Sequence, residues 1–204
     1  MNTDDTDDTD ENVGWPSYVD FLSTFIFVLI LFIGSLVFQV SGVIEQHKRT
    51  QVLKAKSEAI TKAGIENIVR QNKILIPLNK QVTFASGSVV IDSVASEHLR
   101  IVGMQIARAC SDLQVHCRRI IVEGHADQVP VKGDPEFGNW KLSANRALQV
   151  LRFFYHCSDC GYGDEIRSRL ALSGQGAVDA KDSVNGDVTD RRVDVILDFG
   201  GERG

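Results

Sequence analysis

The 204-residue sequence lacks the common signatures of an enzyme. It contains neither a Walker P-loop nor an HExxH motif, so no phosphate-binding loop and no zinc protease site is indicated. His125 stands two residues before an acid, but no serine or cysteine lies near it at a recognisable nucleophile elbow. We therefore interpret His125 as a buried structural histidine and predict a non-enzymatic protein without catalytic residues or a cofactor.

An excess of positive charge is also absent. Lys and Arg number 22 against 27 Asp and Glu, which gives a net charge of -5. Such a balance provides no basic surface for phosphates, so we do not expect nucleic-acid binding. Residues 1–12 carry six acids and no Lys or Arg. Because this composition buries too little apolar surface to fold, we predict a disordered acidic tail over residues 1–14.

Charge is missing altogether from residues 21–38, which lie inside an apolar run over residues 15–40. Roughly 20 apolar residues in a helix cross the ~30 Å hydrocarbon layer of a bilayer. We therefore predict a transmembrane helix over residues 15–40. A cleaved signal peptide would begin with a basic region, whereas the preceding tail is acidic, so we expect the span to remain as an anchor.

Asp20 is the one acid within this apolar run. Helical spacing places small residues on its side of the helix, namely Ser23, Thr24, Gly34 and Ser35. A carboxylate within a span usually faces a partner or a water-filled path, and small polar faces favour helix contacts in lipid. Alternatively, Ser17 and Asp20 match a capping box with Pro16 just ahead of the helix start. The spacing alone leaves both readings open.

The chain beyond the span predicts a helical linker and then an α/β domain. Residues 41–73 are polar, with apolar positions spaced as in a helix that makes a weak two-helix contact. Farther on, strands are indicated at residues 74–84, 119–123, 170–173 and 193–199, and helices at residues 93–112 and 139–155. This alternation predicts an α/β sandwich of βαβαβ type over residues 74–200, with a helix layer on one sheet face.

Four motifs within this domain carry a resemblance to a known family. They are IIVEGHAD at 120–127, NWKLSANRA at 139–147, GQG at 174–176 and DRRV at 190–193. In this order and spacing the chain resembles the OmpA-like peptidoglycan-binding domain. The form of the second motif, the long loop before it and the segment 18–24 of the span are similar to MotB, the stator subunit of the flagellar motor.

The resemblance implies a site for the zwitterionic diamino acid of the peptidoglycan stem. Asp127 would bind its ammonium group and Arg146 its carboxylate, since an acid and an arginine fork suit these two groups. Asn139 and Leu142 would border the groove, and Arg192 would lie nearby. The alternative is a simple surface ion pair between Asp127 and Arg146.

Similarity to MotB also implies ion translocation through the membrane. An aspartate of the MotB span receives the translocated ion, and this role falls on Asp20, with Thr24 on the same helical face. The ion would be H⁺ or Na⁺. A single span cannot enclose a pathway, so the resemblance implies a homodimer within a ring of MotA-like subunits. It predicts a peptidoglycan-anchored subunit of an ion-driven motor of the bacterial inner membrane.

Topology and biological system follow less directly. The positive-inside rule, applied to basic residues such as Lys48 and Arg49, places the large domain in the cytoplasm. Peptidoglycan binding requires it in the periplasm, with the N-terminus cytoplasmic, and we follow the motif. The linker of about 50 Å is short for a flagellar stator and resembles ZorB, the MotB-like subunit of Zorya phage-defence systems. A flagellar stator subunit and a passive peptidoglycan tether are the alternatives.

Four cysteines follow the two main predicted helices. Cys110 and Cys117 flank the turn after the first helix, and Cys157 and Cys160 follow the second. Both helices end at the same end of the sheet in a βαβα arrangement, so all four thiols are expected as neighbours. Our first expectation is two disulfides in an oxidising compartment. The second is a tetrahedral zinc site, and the third is free buried thiols. The sequence does not fix which cysteines pair.

Overall fold

A computed structural model describes residues 14–78, 82, 84, 87–111, 115, 117–178, 180 and 190–200. The predicted acidic tail lies outside the described residues, except for Gly14, which is helical. By its internal contacts the chain divides into two compact units, Met1–Lys48 and Arg49–Gly204.

Helix α1 (Gly14–Lys62) contains the predicted span. An 18-residue window within it has a mean hydropathy of 2.7 and no buried residue, so by length and composition this helix can cross a membrane. Because α1 begins at Gly14, Ser17 lies inside the helix and is not its N-cap. The capping-box interpretation is therefore wrong.

The helical linker ends earlier than predicted. Gly64, with φ of 81°, follows α1 and terminates it, so residues 63–73 are not helical. Near the end of α1, Leu53 and Ile60 are each 1% exposed and belong to the core of the second unit. That unit accordingly starts at Arg49 and not at residue 74, because the last turns of α1 supply part of its apolar core.

Within the described residues, five strands form one mixed sheet. They are β1 (Ile68–Arg70), β2 (Lys73–Pro77), β3 (Arg119–Gly124), β4 (Leu170–Gly174) and β5 (Val193–Asp198), in the order β1-β2-β5-β3-β4. Strands β3 and β4 are parallel, and the other neighbours are antiparallel. Strand β1 was not predicted, and β2 covers only residues 74–77 of the strand expected over residues 74–84, although the Leu78 N–H still donates a hydrogen bond of 3.0 Å to the Val193 carbonyl just beyond it.

In the part of the chain that the structure describes, three helices besides α1 accompany the sheet: α2 (Ser93–Cys110), α3 (Gly138–His156) and the short α4 (Asp164–Arg167). Asp92 caps α2, since its Oδ1 accepts a hydrogen bond of 2.7 Å from the Ala95 N–H. Helix α3 packs against β3 and β4. Alternate residues of β5, namely Val193, Val195 and Leu197, are fully buried in the core. The predicted helix-on-sheet fold is confirmed.

Two disulfides close the ends of the long domain helices. Cys110 bonds to Cys117, which joins the end of α2 to the chain entering β3, and Cys157 bonds to Cys160 just after α3. The first expectation for the cysteines is confirmed, and the zinc interpretation is wrong because all four sulfurs are in disulfides. Each cysteine pairs with its nearest neighbour in the sequence.

Candidate functional site

A cavity of about 330 Å³ lies beside the loop after β3 and the first half of α3. It brings together four of the five residues predicted for the peptidoglycan site, all except Arg192. Its lining consists of Gly87, Asp127, Val129, Pro130, Val131, Lys132, Asn139, Leu142, Arg146 and Arg191. The spacing of the three lining residues from α3, three and then four positions apart, places them on one face of that helix.

Asp127 supplies the negative charge of the cavity. It follows the end of β3 by three residues, and its side chain is largely buried. The Arg191 Nε lies 3.1 Å from Asp127 Oδ2, and the Asn139 side-chain amide donates a hydrogen bond of 3.0 Å to the Asp127 backbone carbonyl. The carboxylate is therefore held in place by its backbone and by a neighbouring guanidinium.

Arg146 enters the cavity from α3 and is 0% exposed. Its Nε donates a hydrogen bond of 3.1 Å to the Ser88 carbonyl, in the predicted turn where Gly87 has φ of 69°. Its guanidinium also lies 5.3 Å from the centroid of the Phe84 ring. Burial lowers the pKa of Arg146, which the Asp127 charge opposes, yet arginine remains protonated at neutral pH.

Arg192, the fifth predicted residue, does not line the cavity. Its Nε lies 3.1 Å from Asp194 Oδ2, and its Nη1 lies 3.8 Å from Asp190 Oδ1. Arg191 takes the place that was predicted for Arg192. Lys132, which also lines the cavity, was not predicted.

Close packing between strand and helix fixes the spacing of the two charged groups. A Cβ on Gly124, at the end of β3, would lie 2.0 Å from the Ser143 backbone carbonyl oxygen in α3. The Ser143 hydroxyl accepts a hydrogen bond of 3.0 Å from the Gly176 N–H, and the Ala126 N–H donates to the Gly176 carbonyl at 2.7 Å. The predicted GQG motif thus ties the Asp127 loop to α3.

The loop over residues 128–138 is held by its own contacts. The Asp134 carboxylate accepts a hydrogen bond of 3.1 Å from the Phe137 N–H and lies 2.5 Å from Lys141 Nζ. At the far end of the loop, a Cβ on Gly138 would lie 2.4 Å from Val131 Cβ, so only glycine allows this approach. These contacts position the adjoining Lys132 at the cavity.

His125 is 4% exposed and belongs to an ionic network beside the cavity, as expected for a structural histidine. Its Nε2 lies 3.2 Å from Asp194 Oδ2 and 3.5 Å from Glu123 Oε1, with Arg192 next to Asp194. Burial alone would lower the pKa of His125, but the two carboxylates outweigh it and raise the pKa to about 9. The His125 bond in turn lowers the pKa of Glu123 to about 2.

This network predicts a loss of domain stability at alkaline pH. Because the His125 pKa is raised from 6.5, its contribution is complete below about pH 6.5 and disappears as pH rises through 9. We expect the free energy of unfolding to fall by on the order of 2–3 kcal/mol across that interval. Urea titrations at several pH values measure it. His125→Gln should remove most of the fall and His156→Gln should not; an equal fall in all three proteins would contradict the assignment.

Asp20, the predicted ion-binding residue, lies exposed in the apolar part of α1. The hydroxyls of Ser23 and Thr24 each donate a hydrogen bond of 2.9 Å to the Asp20 backbone carbonyl. These hydroxyls are on the Asp20 side of the helix, as helical spacing requires. Their bonds leave the Asp20 carboxylate available to a ligand or partner.

Comparison with known proteins agrees with this fold. The OmpA family model matches residues 83–193. A MotB-like protein from Desulfovibrio vulgaris is similar in structure at 23% identity, over 76% of this chain and 96% of that chain, with a TM-score of 0.57. The periplasmic domain of Helicobacter pylori MotB is similar at 17% identity, over 67% and 89% respectively, with a TM-score of 0.53. No curated protein matches the chain significantly.

Proposed function

Since this chain belongs to the OmpA family, we propose that it anchors an ion-driven motor of the bacterial inner membrane to peptidoglycan. The observation that carries the proposal is the cavity in which Asp127 and Arg146 lie together, next to Arg191. An anchor for peptidoglycan has to hold a stem-peptide group with an ammonium and a carboxylate side by side. An acid and a buried arginine in one cavity meet that demand without any catalytic chemistry.

The proposed binding is an exchange of ionic partners. In the structure Asp127 is paired with Arg191 at 3.1 Å, so its charge is already compensated before a ligand binds. The ligand ammonium would share the Asp127 carboxylate with Arg191, and the ligand carboxylate would meet the Arg146 guanidinium. Because Arg146 is fully buried, its charge-assisted hydrogen bonds would form in a medium of low polarity, where they are strong.

Removing either half of this pair should weaken binding to cell-wall sacculi. A hydrogen bond to a charged group contributes roughly 1.5–3 kcal/mol, so Asp127→Asn and Arg146→Ala are each expected to lower affinity on the order of tenfold or more. Co-sedimentation of the full-length protein with purified sacculi measures the loss. Arg152→Ala, on the exposed side of α3, is the control and should bind like the native protein.

Thermal unfolding separates lost binding from lost folding. Asp127→Asn preserves the shape of the side chain but removes the charge that faces Arg191, so some loss of melting temperature is expected and binding is measured at a temperature where the variant is folded. Arg146→Ala leaves a cavity in the core, which lowers stability. The binding of this variant is therefore compared with that of the native protein only at temperatures where its melting curve shows it to be folded. Native affinity for sacculi in a folded Asp127→Asn protein would eliminate the proposed site.

The membrane helix supports the motor half of the proposal. A passive tether needs no acid within its span, whereas an ion carrier needs a group that alternates between charged and neutral forms. Asp20 has this chemistry, and the ion would be H⁺ or Na⁺. One helix cannot enclose a path, so the proposed assembly is a homodimer inside a ring of MotA-like subunits.

Two disulfides favour the proposed orientation. Structural disulfides form in oxidising compartments such as the periplasm and are rare in the bacterial cytoplasm. The domain that contains them would therefore be periplasmic and the acidic N-terminus cytoplasmic. This outweighs the positive-inside count, which reflects a statistical bias and not a physical requirement.

For the biological system, we place a Zorya-type phage-defence motor ahead of a flagellar stator. The supporting observation is the shortness of the connection. The predicted span ends at residue 40 and the second compact unit begins at Arg49, which leaves residues 41–48 between them. A flagellar stator subunit resembles this chain at both ends but has a longer, partly flexible linker.

A further inference from the structure

Trp140, in the first turn of α3, presents one face of its indole ring to solvent. The residue is 46% exposed, although tryptophan is highly buried on average. A Cβ built on Gly176 would lie 3.0, 3.1 and 3.3 Å from the adjoining ring atoms Cδ2, Cε2 and Cγ. Such similar distances to three bonded atoms place the Gly176 backbone over one face of the ring. The exposed area therefore belongs mainly to the opposite face and the rim.

Hydrogen bonds hold this ring in place from behind. The Ser143 hydroxyl donates a bond of 3.0 Å to the Trp140 carbonyl and accepts one of 3.0 Å from the Gly176 N–H. The Gly176 carbonyl in turn accepts a bond of 2.7 Å from the Ala126 N–H, one residue before Asp127. The φ of 56° at Gly176 also favours glycine there. A flat apolar face with a fixed backing is thus set beside the binding cavity.

We propose that the Trp140 indole is a sugar-binding subsite for the glycan strand to which the bound stem peptide is attached. This rests on the proposed peptidoglycan anchor and adds a sugar to its ligand. One face of an N-acetylated pyranose carries C–H groups with a slight positive charge, which complement the negative face of an aromatic ring. Contact between the two faces also removes apolar surface from water. The uncharged ring therefore suits a neutral sugar.

The distance between the ring and the cavity fits such a ligand. Asn139, adjacent to Trp140, lines the cavity, and its side-chain amide donates a hydrogen bond to the Asp127 carbonyl. The path through Ala126 and Gly176 places the ring on the order of 10 Å from Asp127, since consecutive Cα atoms are about 3.8 Å apart. The diamino acid held in the cavity is the third residue of its stem, and three extended residues span roughly 10 Å. The sugar that carries the stem therefore comes within reach of Trp140.

Two synthetic ligands test the proposal. One is the tripeptide N-acetyl-L-Ala-γ-D-Glu-meso-diaminopimelate, and the other is the same tripeptide joined to the disaccharide GlcNAc-MurNAc. Titration calorimetry of the full-length protein in detergent gives both affinities. Because the sugar stacks on an aromatic face, the native protein is expected to bind the disaccharide ligand about three- to tenfold more tightly than the bare tripeptide.

Two exposed aromatic residues of α3 supply the matched variants. Trp140→Leu should bind both ligands equally and keep the native affinity for the bare tripeptide, which shows that the cavity is intact. Trp140→Phe retains an aromatic face and should retain part of the preference. Tyr155 is 49% exposed near the far end of α3, so Tyr155→Leu is the control and should keep the full preference. Equal affinity of the native protein for both ligands, or a preference that survives in Trp140→Leu, overturns the inference.

Acrylamide quenching tests the contact without altering the ring. The chain has two tryptophans, so Trp15→Phe leaves Trp140 as the only indole fluorophore. The disaccharide ligand should protect its fluorescence from quenching more than the bare tripeptide does, and equal quenching with both ligands at saturation overturns the inference. So does a failure to bind either ligand, and sedimentation with sacculi then decides separately whether the anchor proposal falls too.

Discussion

Replacing Asp20 by asparagine is expected to abolish motor function while the protein still inserts and assembles. Asparagine has the same shape but cannot take up and release a proton or balance a bound cation. The hydrogen bonds from Ser23 and Thr24 are made to the Asp20 backbone carbonyl, so the substitution leaves them intact. An effect on function would therefore come from the lost carboxylate and not from a disturbed helix.

Complementation of a deletion strain measures this effect. Phage plaque formation and swimming are scored in the same strains, and co-purification with the MotA-like subunit reports assembly. Glu45→Gln, which removes an acid from α1 outside the apolar run, should retain full function. Full activity of Asp20→Asn would leave the passive tether as the better interpretation. If the deletion strain loses swimming while its plaque numbers stay unchanged, the flagellar stator is favoured over phage defence.

The membrane helix and the α3 face of the site could be predicted from the sequence because each depends on a local pattern of residues. A long uncharged run admits few structures other than a membrane helix. Likewise, Asn139, Leu142 and Arg146 follow helical spacing, so any helix over residues 139–155 places them on one side. The order of the motifs, as in the family that the chain resembles, then predicted that Asp127 in the loop after β3 lies beside this face of α3.

The choice between Arg191 and Arg192 depends on contacts outside the strand. Arg192 lies 3.1 Å from Asp194, whereas Arg191 lies 3.1 Å from Asp127 at the cavity. Both arginines precede β5, which begins at Val193, so the alternation of that strand does not assign their directions. The sequence therefore offered two adjacent arginines without a pattern to choose between them.

The end of the linker was missed for a different reason. Gly64 is a helix stop signal of the usual kind, but Ile65, Ile68 and Val69 after it continue a helical spacing of apolar residues. Strand β1 has only three residues, and its pairing with β2 gives it a structure that its own sequence does not specify. The role of Leu53 and Ile60 in the domain core is likewise a tertiary contact, which periodicity within α1 cannot reveal.

Replacing Gly124 by alanine is expected to destabilise the domain strongly, although it adds only one methyl group. The new Cβ would lie 2.0 Å from the Ser143 carbonyl oxygen and 2.8 Å from its carbonyl carbon. Both are backbone atoms of α3, so no side chain can rotate away, and the strand and helix would have to separate. Overpacking usually costs 1–3 kcal/mol, and we expect about 3 kcal/mol or more because only backbone can yield.

The separation would act on function as well as stability. Asp127 follows Gly124 by three residues and Arg146 follows Ser143 by three, so moving the strand from the helix moves the two charged groups apart. We expect a melting temperature lower by about 6–12 °C, together with weaker sedimentation with sacculi. Gly163→Ala is the control, since a Cβ there meets nothing within 4 Å and its φ of -74° suits alanine. A Gly124→Ala protein with native melting temperature and native binding would show that this contact does not set the site.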